Sequence, residues 1–356
     1  MDNLLSYLGY HEKWHGSIQS WRSNTRFSIN ESLIKFILET INIETGNFVE
    51  FGACDGIKNA NTRLLYLNGW SGLYIEADSI RFKELKNNSL ADLISNPKIH
   101  TKIKPIPLYA IPTTSGTGGE VTPFATIWDH SKLKKLSLSG PSVYANTAIV
   151  DPVLTNELPK TQTLYTGLDA INQAMESIWN KNATSLTINI ATKSLKLGLE
   201  SLPLLMSKIE SFSERENMSQ CSLLAGLAIS QTRTALCHSM SYPLTAHFGV
   251  PHGLACSFTM PIILKHSLQV DDGRLLNLAK KLISKNANKK DLLKLFEKLH
   301  EDNDICMKVK EKVKDLDKLL DLIPEMITTG RADNSMFSPN LGTIRKFVKD
   351  SWNYKN

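Results

Sequence analysis

The chain has 356 residues, of which 42% are hydrophobic and 21% are charged, and its formal net charge is +6. These proportions are those of an ordinary globular protein with room for two or three domains. The positive charge would favour a small anionic substrate, but it is far from the clustered basic face of a nucleic-acid binder. The five cysteines include no CxxC pair, which indicates reduced thiols in a cytoplasmic protein.

No segment has the character of a targeting or membrane sequence. The first residues, MDNLLSYLGYHEKWHG, lack the basic start and the apolar run of a signal peptide. The least polar long stretch, from Leu223 to Leu244, contains Gln231, Arg233 and His238. Such polar groups favour a buried helix of a soluble protein over a membrane span. We therefore expect no membrane partner.

Strand and helix patterns alternate between Phe48 and about Leu93. The apolar runs NFVEFGA and SGLYIEA are separated by turn and helix patterns, which is the rhythm of a parallel sheet. The first run leads into a glycine turn at residues 52–56, and Glu76 ends the second run, where an acid can hold ribose hydroxyls. One glycine turn by itself is weak support for a nucleotide site.

The remainder of the chain changes from strand-like to helical. Residues 104–151 are rich in Thr, Ser, Gly and Pro and contain the strand-like runs PIPLYAIP and NTAIVDP. From Thr163 onward nearly every pattern is helical, including a Lys-rich stretch at 280–322 that is typical of the solvated faces of packed helices. We therefore predict an α/β N-terminal region, a truncated Rossmann-like parallel sheet, followed by an all-helical domain. The expected divisions are residues 1–95, 96–160 and 161–356.

The segment TGLDAINQAMESIW, residues 166–179, carries the first candidate ligands. Thr166 is predicted to cap a helix there. The buried stripe of that helix is predicted to comprise Leu168, Ile171, Met175 and Ile178. Asp169 and Gln173 lie four residues apart, so both side chains leave one face of the helix, one turn from each other. Taken alone, the helix favours a structural role, in which Asp169 serves the helix N-terminus and Gln173 a backbone carbonyl.

A second segment, residues 228–253, adds two histidines. A buried and nearly uncharged helix is predicted to carry His238 near its end, and Pro243 is predicted to stop it. His252 follows on a new turn, fourteen residues after His238. With the carboxylate of Asp169 and the amide oxygen of Gln173, these two imidazoles make a four-ligand site for a divalent metal.

Several motifs occur in a fixed order from about residue 90 to the C-terminus. They are PLYAIPTTSGTGGEVTPFATI, then G-x-D-A with a ligand four residues after the Asp, then H-x₃-[HY]-P-L, then P-H-G, and finally GRADN at 330–334 before a last helix. This series resembles the iron-containing alcohol dehydrogenases over roughly 250 of the 356 residues. The resemblance implies reduction of a small aldehyde to an alcohol, linked to NAD(P)H and to a divalent metal. Fe²⁺ is the first choice of metal, Zn²⁺ and Mn²⁺ are alternatives, and a homodimer is compatible with the family.

The resemblance also implies a role for each matching position. It places metal ligands at Asp169, His238 and His252, and a fourth at Gln173, where most members carry His. Tyr242 stands where several members have a His that relays protons, so Tyr242 is the candidate catalytic residue. The loop that would wrap the cofactor comprises Thr113, Thr114, Ser115, Gly116, Thr117 and Gly118.

Two departures from the family pattern refine this expectation. Gln173 is a neutral oxygen donor, which makes the site harder and favours Fe²⁺ or Mn²⁺ over zinc. Tyr242 has a reference pKa of about 10, so it shuttles protons at neutral pH less readily than His. Gln173 together with Ser-Tyr-Pro-Leu most resembles the branch that reduces phosphonoacetaldehyde to 2-hydroxyethylphosphonate. Arg233 is a candidate handle for such an anion, and a helix-surface ion pair is the alternative role.

The N-terminal part does not match this family, whose members begin with a Gly-Gly-Gly-Ser phosphate loop that the sequence lacks. Residues 49–88 resemble instead the start of FkbM-type methyltransferases, in which Glu50, Gly52 and Glu76 would face S-adenosylmethionine. The chain is thus expected to be a fusion joined near residues 88–100. Three outcomes stay open: a working reductase, which we favour, an inert domain that binds only metal, or an S-adenosylmethionine-dependent methyltransferase.

Overall fold

The computed structural model describes residues 47–51, 71–75, 108–129 and 134–354. The chain divides into two units, residues 1–86 with 106–108, and residues 87–105 with 109–356. In the first unit, β1 (Asn47–Phe51) and β2 (Ser71–Ile75) pair in parallel, with Asn47 opposite Ser71. This pairing confirms the predicted parallel strands. The glycine turn at 52–56 and Glu76 lie outside the described residues.

The second unit begins with short strands. β3 (Tyr109–Ala110) pairs in parallel with β6 (Thr147–Ala148), which confirms the two strand-like runs of the sequence. Between them, β4 (Phe124–Asp129) and β5 (Lys134–Ser139) form an antiparallel pair. Short 3₁₀ helices occur at Gly119–Val121, Pro141–Val143 and Pro152–Thr155.

The rest of the second unit is helical, as the sequence predicts. Its helices are α1 (Lys160–Ile178), α2 (Ser185–Ser207), α3 (Phe212–Thr232), α4 (Leu236–Phe248), α5 (His252–Phe258), α6 (Met260–Ser267), α7 (Arg274–Leu282), α8 (Lys289–Asp302), α9 (Ile305–Val313), α10 (Leu316–Asp321) and α11 (Leu341–Trp352), with 3₁₀ helices at Ile323–Met326 and Ala332–Asn334. Within the described part of the chain, none of these helices combines the length and the apolarity that crossing a lipid bilayer requires.

Helix α1 is the centre of the helical unit, and α2, α3 and α5 pack around it. The predicted stripe of Leu168, Ile171, Met175 and Ile178 is at most 1% exposed, which confirms it. The opposite faces are buried as well, although they carry polar side chains. These buried polar residues are Asp169, Asn172, Gln173, Glu176 and Ser177. Because buried polar groups cost free energy unless they are bonded, five of them within residues 169–177 of the central helix indicate a functional cluster.

The predicted cap at Thr166 is wrong. Helix α1 begins six residues earlier, at Lys160 after Pro159, and the Thr166 hydroxyl donates to the carbonyl of Gln162 at 3.0 Å. Proline fixes a backbone φ that suits a helix start, while a Thr hydroxyl inside a helix can bond to the carbonyl one turn back. Asp169 therefore lies in the middle of α1, too far from the helix N-terminus to serve it.

The prediction that one helix carries His238 near its end and stops at Pro243 is also wrong. Helix α3 ends at Thr232, and after a break at residues 233–235 the chain starts α4, so His238 lies in the first turn of a new helix. Pro243 is inside α4 because its neighbours on the helix are buried in the core, and this packing outweighs one lost backbone hydrogen bond. Helix α4 ends instead at Phe248, and Gly249, which follows it, takes the left-handed conformation with φ 63°.

Candidate metal centre

Asp169 and His238 form the middle of a buried polar cluster. Asp169 projects from the middle of α1, and His238 Nε2 lies 3.2 Å from its Oδ1 atom, with both side chains at most 5% exposed. Burial alone would raise the pKa of Asp169, but the hydrogen bond to His238 and nearby positive charges lower it below its ordinary value. Asp169 is therefore held as the carboxylate, which is the form that binds a metal.

His252 approaches the same point from α5. Its ring centroid lies 5.3 Å from that of His238, and the two rings are nearly perpendicular. Burial and the positive charge of Lys135 lower the pKa of His252 to about 3, against the opposing effect of Asp169. His252 is therefore neutral at physiological pH, and a neutral imidazole is the ligand form.

Gly253 allows this approach. A Cβ atom at residue 253 would collide with the backbone carbonyl of Tyr165, so only glycine lets the first turn of α5 lie directly against α1. His252 immediately precedes this contact, which brings its ring close to Asp169. The close backbone approach thus sets the position of the second imidazole.

Gln173 lies one turn after Asp169 on the same helix, as predicted. Its amide nitrogen donates to the carbonyl of Thr117 at 3.3 Å, so the expected bond to a backbone carbonyl is present. Its Oε1 atom is buried and has no hydrogen-bond partner among the described residues. A buried amide oxygen that accepts no hydrogen bond is available to bind a metal, so Gln173 fits the fourth ligand position.

Cys256 is a further candidate ligand that the sequence interpretation missed. It lies one helical turn after His252, and its Sγ atom is 3.8 Å and 3.9 Å from the two ring nitrogens of that histidine. One ligand atom from each of Asp169, His238, His252 and Cys256 falls within 4.8 Å of the others. Burial raises the pKa of the Cys256 thiol, and the facing His238 opposes that rise. The signal in the sequence is the spacing of four residues after His252 on a short helix.

Glu176 was also missed, and it orients His238. Its carboxylate is fully buried and accepts hydrogen bonds from the His238 ring Nδ1 at 2.7 Å, from the His238 backbone N at 3.2 Å and from the Ala235 backbone N at 2.8 Å. With Nδ1–H held by Glu176, Nε2 of His238 faces Asp169 and is the nitrogen that a metal would bind when it displaces the proton there. Glu176 lies seven residues after Asp169 and three after Gln173, so the helical face that carries the ligands already contained it.

The charges around His238 favour a bound cation. Burial alone would lower the pKa of His238, but Cys256, Glu176 and Asp169 outweigh it and raise the pKa well above its ordinary value. A group of acceptors that binds a proton this strongly attracts a divalent cation for the same reason, and the two compete for the same lone pair. The donor set of one carboxylate, one amide oxygen and two imidazoles therefore fits a divalent metal.

Tyr242, the candidate catalytic residue, lies beside this cluster on α4. Its ring is stacked on that of His252 with 6.2 Å between centroids, and the Lys135 amine lies 4.0 Å from its ring centroid. Burial alone would raise the pKa of Tyr242, but positive charges, Lys135 first among them, lower it below its ordinary value. A phenol with a lowered pKa gives up its proton more readily, which suits a proton relay.

The predicted cofactor loop is used partly for packing. The hydroxyls of Ser115 and Ser219 are 3.0 Å apart, and a Cβ atom at Gly116 would collide with Thr166 of α1. Gly118 has φ 59° and lies against Gly226 of α3. Thr113 and Thr114 are half-buried, Thr117 is exposed, and the Thr117 carbonyl accepts the bond from Gln173. The loop is thus fixed against the helix that carries the metal ligands.

Arg233 lies in the break between α3 and α4. Its guanidinium is exposed and donates to the Ser139 hydroxyl at 3.4 Å, and its carbon lies 5.6 Å from the centroid of the Phe124 ring. The alternative role, an ion pair on a helix surface, finds no carboxylate partner in the part of the chain that the structure describes.

Comparison with known proteins identifies relatives of this part of the chain. A family model described as Fe-containing alcohol dehydrogenase family, C-terminal, matches residues 163–336, and one described as Iron-containing alcohol dehydrogenase matches residues 80–152. The phosphonoacetaldehyde reductase of Streptomyces viridochromogenes is 38% identical over 165 residues, which is 46% of this chain and 42% of that protein. The probable alcohol dehydrogenase EutG of Salmonella typhimurium is 31% identical over 213 residues, 58% of this chain and 54% of that protein. The chain therefore spans about half the length of these curated relatives.

Solved structures share the fold. The crystal structure of sulfoacetaldehyde reductase from Bifidobacterium kashiwanohense in complex with NAD⁺ has a TM-score of 0.71 at 21% identity and covers 92% of this chain and 96% of that chain. The two family models match consecutive parts of this chain, and the cluster of Asp169, His238 and His252 lies within the match at residues 163–336. The chain belongs to the iron-containing alcohol dehydrogenase family.

Proposed function

We propose that this chain reduces a small aldehyde to the corresponding alcohol, using NADH or NADPH and a divalent metal held by Asp169, Gln173, His238 and His252. The observation that carries the proposal is the convergence of Asp169, His238 and His252 in one buried cluster, beside an amide oxygen of Gln173 that has no other partner among the described residues. Fe²⁺ and Mn²⁺ suit this hard donor set, and Cys256 within the same cluster keeps Zn²⁺ as an alternative.

Each side chain has a defined task in this reaction. When bound, the metal supplies Lewis acidity toward a carbonyl oxygen and the reduced nicotinamide supplies hydride. Glu176 holds His238 in the tautomer whose Nε2 can bind, and His252 stays neutral for the same purpose. Tyr242 holds a proton for the oxygen of the product. One hydride and one proton then convert the aldehyde to the alcohol, and the proton on Tyr242 is replaced from solvent.

For the substrate we propose an aldehyde that carries an anionic group, such as phosphonoacetaldehyde, which would yield 2-hydroxyethylphosphonate. The relative from Streptomyces viridochromogenes and the sulfoacetaldehyde reductase structure, by their names, act on aldehydes of this kind. The net charge of +6 favours the approach of an anion. A cytoplasmic location belongs to the same proposal, and the four described cysteines, all free thiols, support it.

Metal analysis tests the ligands. Asp169→Ala and His252→Ala should lose most of the bound metal, while Asp272→Ala and His247→Ala, in exposed ion pairs on the same unit, should keep it. Unchanged metal content in the first two variants would show that the ligand assignment is wrong. Metal loss in these variants, together with oxidation of NADH or NADPH by the wild-type protein on addition of phosphonoacetaldehyde, would support the whole proposal. Metal binding without turnover would leave the alternative in which the chain is an inert domain that binds only metal.

The N-terminal segment carries a second proposal, that its FkbM-like residues bind S-adenosylmethionine. Glu50 lies in β1, while Gly52 and Glu76 fall outside the described residues. The parallel pairing of β1 with β2 supports either cofactor, since both dinucleotides and S-adenosylmethionine bind to parallel sheets. We also propose the division into residues 1–95, 96–160 and 161–356. Calorimetric titration with S-adenosylmethionine and with NADH distinguishes the two cofactors.

A further inference from the structure

Three basic residues come from segments that contact or adjoin α4, the helix of His238 and Tyr242, and we call Lys135, Arg233 and Arg331 the cationic cluster. Lys135 contacts the ring of Tyr242, and its charge also acts on Asp169 and His252, so it lies close to the proposed ligands. Arg331 belongs to the GRADN motif, and the 3₁₀ helix Ala332–Asn334 that follows it packs against α4, the helix of Tyr242. The cluster is therefore continuous with the proposed reaction site.

Arg233 and Arg331 meet at one aromatic ring. Their guanidinium carbons lie 5.6 Å and 5.2 Å from the centroid of Phe124, and the charge of Arg331 helps burial to lower the pKa of Arg233. Among the described residues, neither arginine forms an ion pair with a carboxylate. Like charges repel, so two arginines that act on each other at one ring favour the binding of an anion between or beside them.

The backbone of Arg233 is strained. Its φ of 63° and ψ of 172° lie in a region that only glycine adopts readily. The conformation is held by hydrogen bonds to the Arg233 carbonyl from the Thr232 hydroxyl at 2.9 Å and from the Asn180 amide at 3.2 Å. Glycine would adopt this backbone conformation at a lower free-energy cost than arginine. The presence of arginine therefore indicates that its guanidinium serves a purpose other than stability.

We propose that the cationic cluster is an oxyanion subsite that binds the phosphonate or sulfonate group of the substrate and so selects anionic aldehydes over uncharged ones. The proposal rests on the aldehyde reductase function given above. A two-carbon aldehyde carries its oxyanion close to its carbonyl group, so the anion site must lie close to the metal site. Tyr242 connects them, because its ring contacts both the proposed ligand His252 and the amine of Lys135. Guanidinium groups bind tetrahedral oxyanions through paired hydrogen bonds, which Lys135 assists as a point charge.

The decisive measurement is calorimetric titration of the metal-loaded protein with methylphosphonate. Arg331→Gln and Lys135→Gln should each weaken its binding at least tenfold. Lys298→Gln, which removes one positive charge from an exposed pair with Asp302, should leave it unchanged. Equal affinity in all variants would overturn the subsite. This titration needs no turnover, so it decides the subsite even if no aldehyde is reduced and the proposed function fails.

Steady-state kinetics identify the source of the oxyanion, since phosphate groups of the nicotinamide cofactor share this chemistry. If the substrate supplies it, Arg331→Gln should lower the preference for phosphonoacetaldehyde over propanal at least tenfold, through KM rather than kcat. If the KM for NADH or NADPH rises instead, the cluster binds the cofactor and the assignment to the substrate is overturned.

A pair of variants at position 233 tests the role of the strained arginine. Arg233→Gly and Arg233→Ala remove the same guanidinium, so both should weaken methylphosphonate binding at least tenfold. Only glycine relieves the backbone, so Arg233→Gly should melt at a temperature a few degrees above that of Arg233→Ala. Melting of the alanine variant at or above the glycine variant, or wild-type binding in both, would contradict the inference.

Discussion

Replacement of Glu176 by glutamine tests how the chain orients its metal ligand. The carboxylate accepts three N–H bonds, two at Oε2 from Ala235 and the His238 ring, and one at Oε1 from the His238 backbone. Glutamine has the same shape but only one acceptor oxygen. In one orientation the amide N–H₂ of the glutamine faces the His238 backbone N–H. In the other orientation the amide N–H₂ faces Nδ1 of the ring, so the ring proton moves to Nε2 and blocks metal binding there.

The size of the effect follows from these bonds. One buried N–H left without an acceptor costs about 1–3 kcal/mol, and two charge-assisted bonds that become neutral lose about 1 kcal/mol each. Part of this loss is offset because a buried negative charge disappears. We therefore expect Glu176→Gln to lower the free energy of unfolding of the metal-free protein by about 3 kcal/mol. A loosened His238 should also weaken metal binding by roughly tenfold to a hundredfold.

Urea unfolding of the metal-free protein measures the first quantity, and competition with a chelator of known affinity measures the second. Glu325→Gln is the matched control, because Glu325 bonds to His247 at 3.0 Å in a pair that is partly exposed to solvent. That variant should change stability by no more than about 0.5 kcal/mol and leave metal affinity as it was. If Glu176→Gln behaves like this control in both assays, Glu176 does not orient His238 and the reasoning is refuted.

Three further variants test other parts of the structure. Gln173→His should raise zinc affinity at least tenfold in chelator competition, because an imidazole is softer than an amide oxygen, and unchanged affinity would place residue 173 outside the ligand set. Gly253→Ala should destabilise the protein by about 2–3 kcal/mol in urea, since its Cβ atom collides with α1, whereas Gly119→Ala, with only ordinary contacts, should not. His300 is buried and its pKa is lowered to about 4, so stability is full above the unfolded pKa of about 6.5 and falls by roughly 3 kcal/mol as pH drops to about 4. His300→Gln should remove that part of the acid sensitivity, and an unchanged slope of stability against pH would contradict the assignment.

Most of the architecture followed from local patterns. The alternation of short apolar runs predicted the parallel pair of β1 and β2, and periodicity predicted the buried stripe of α1. Helix boundaries were less predictable. Thr166 has the chemistry of a cap, yet Pro159 starts the helix earlier, and Pro243 is kept inside α4 by the packing of its neighbours. In each case a tertiary contact or a competing local signal outweighed the residue's own preference.

The candidate ligands could be found from the sequence because two of them share one helix face and the other two lie in recognisable motifs. Asp169 and Gln173 are one turn apart on α1, which local geometry alone determines. The same reasoning would have included Glu176, since it continues that face. It would not have shown that Glu176 contacts His238, because those two residues are 62 positions apart.

The sequence by itself determined the family motifs, the helical character of the second unit and four of the residues that we propose as ligands. These depend on side-chain chemistry and on spacing within one helix or turn, which the order of residues states directly. Only the tertiary structure decided that Cys256 joins the cluster, that Arg233 takes a strained backbone between two helices, and that Lys135 lies over the ring of Tyr242 and Arg331 over that of Phe124. The physical reason is that these contacts arise where elements distant along the chain pack together, and the charge or strain that results is a property of that packing.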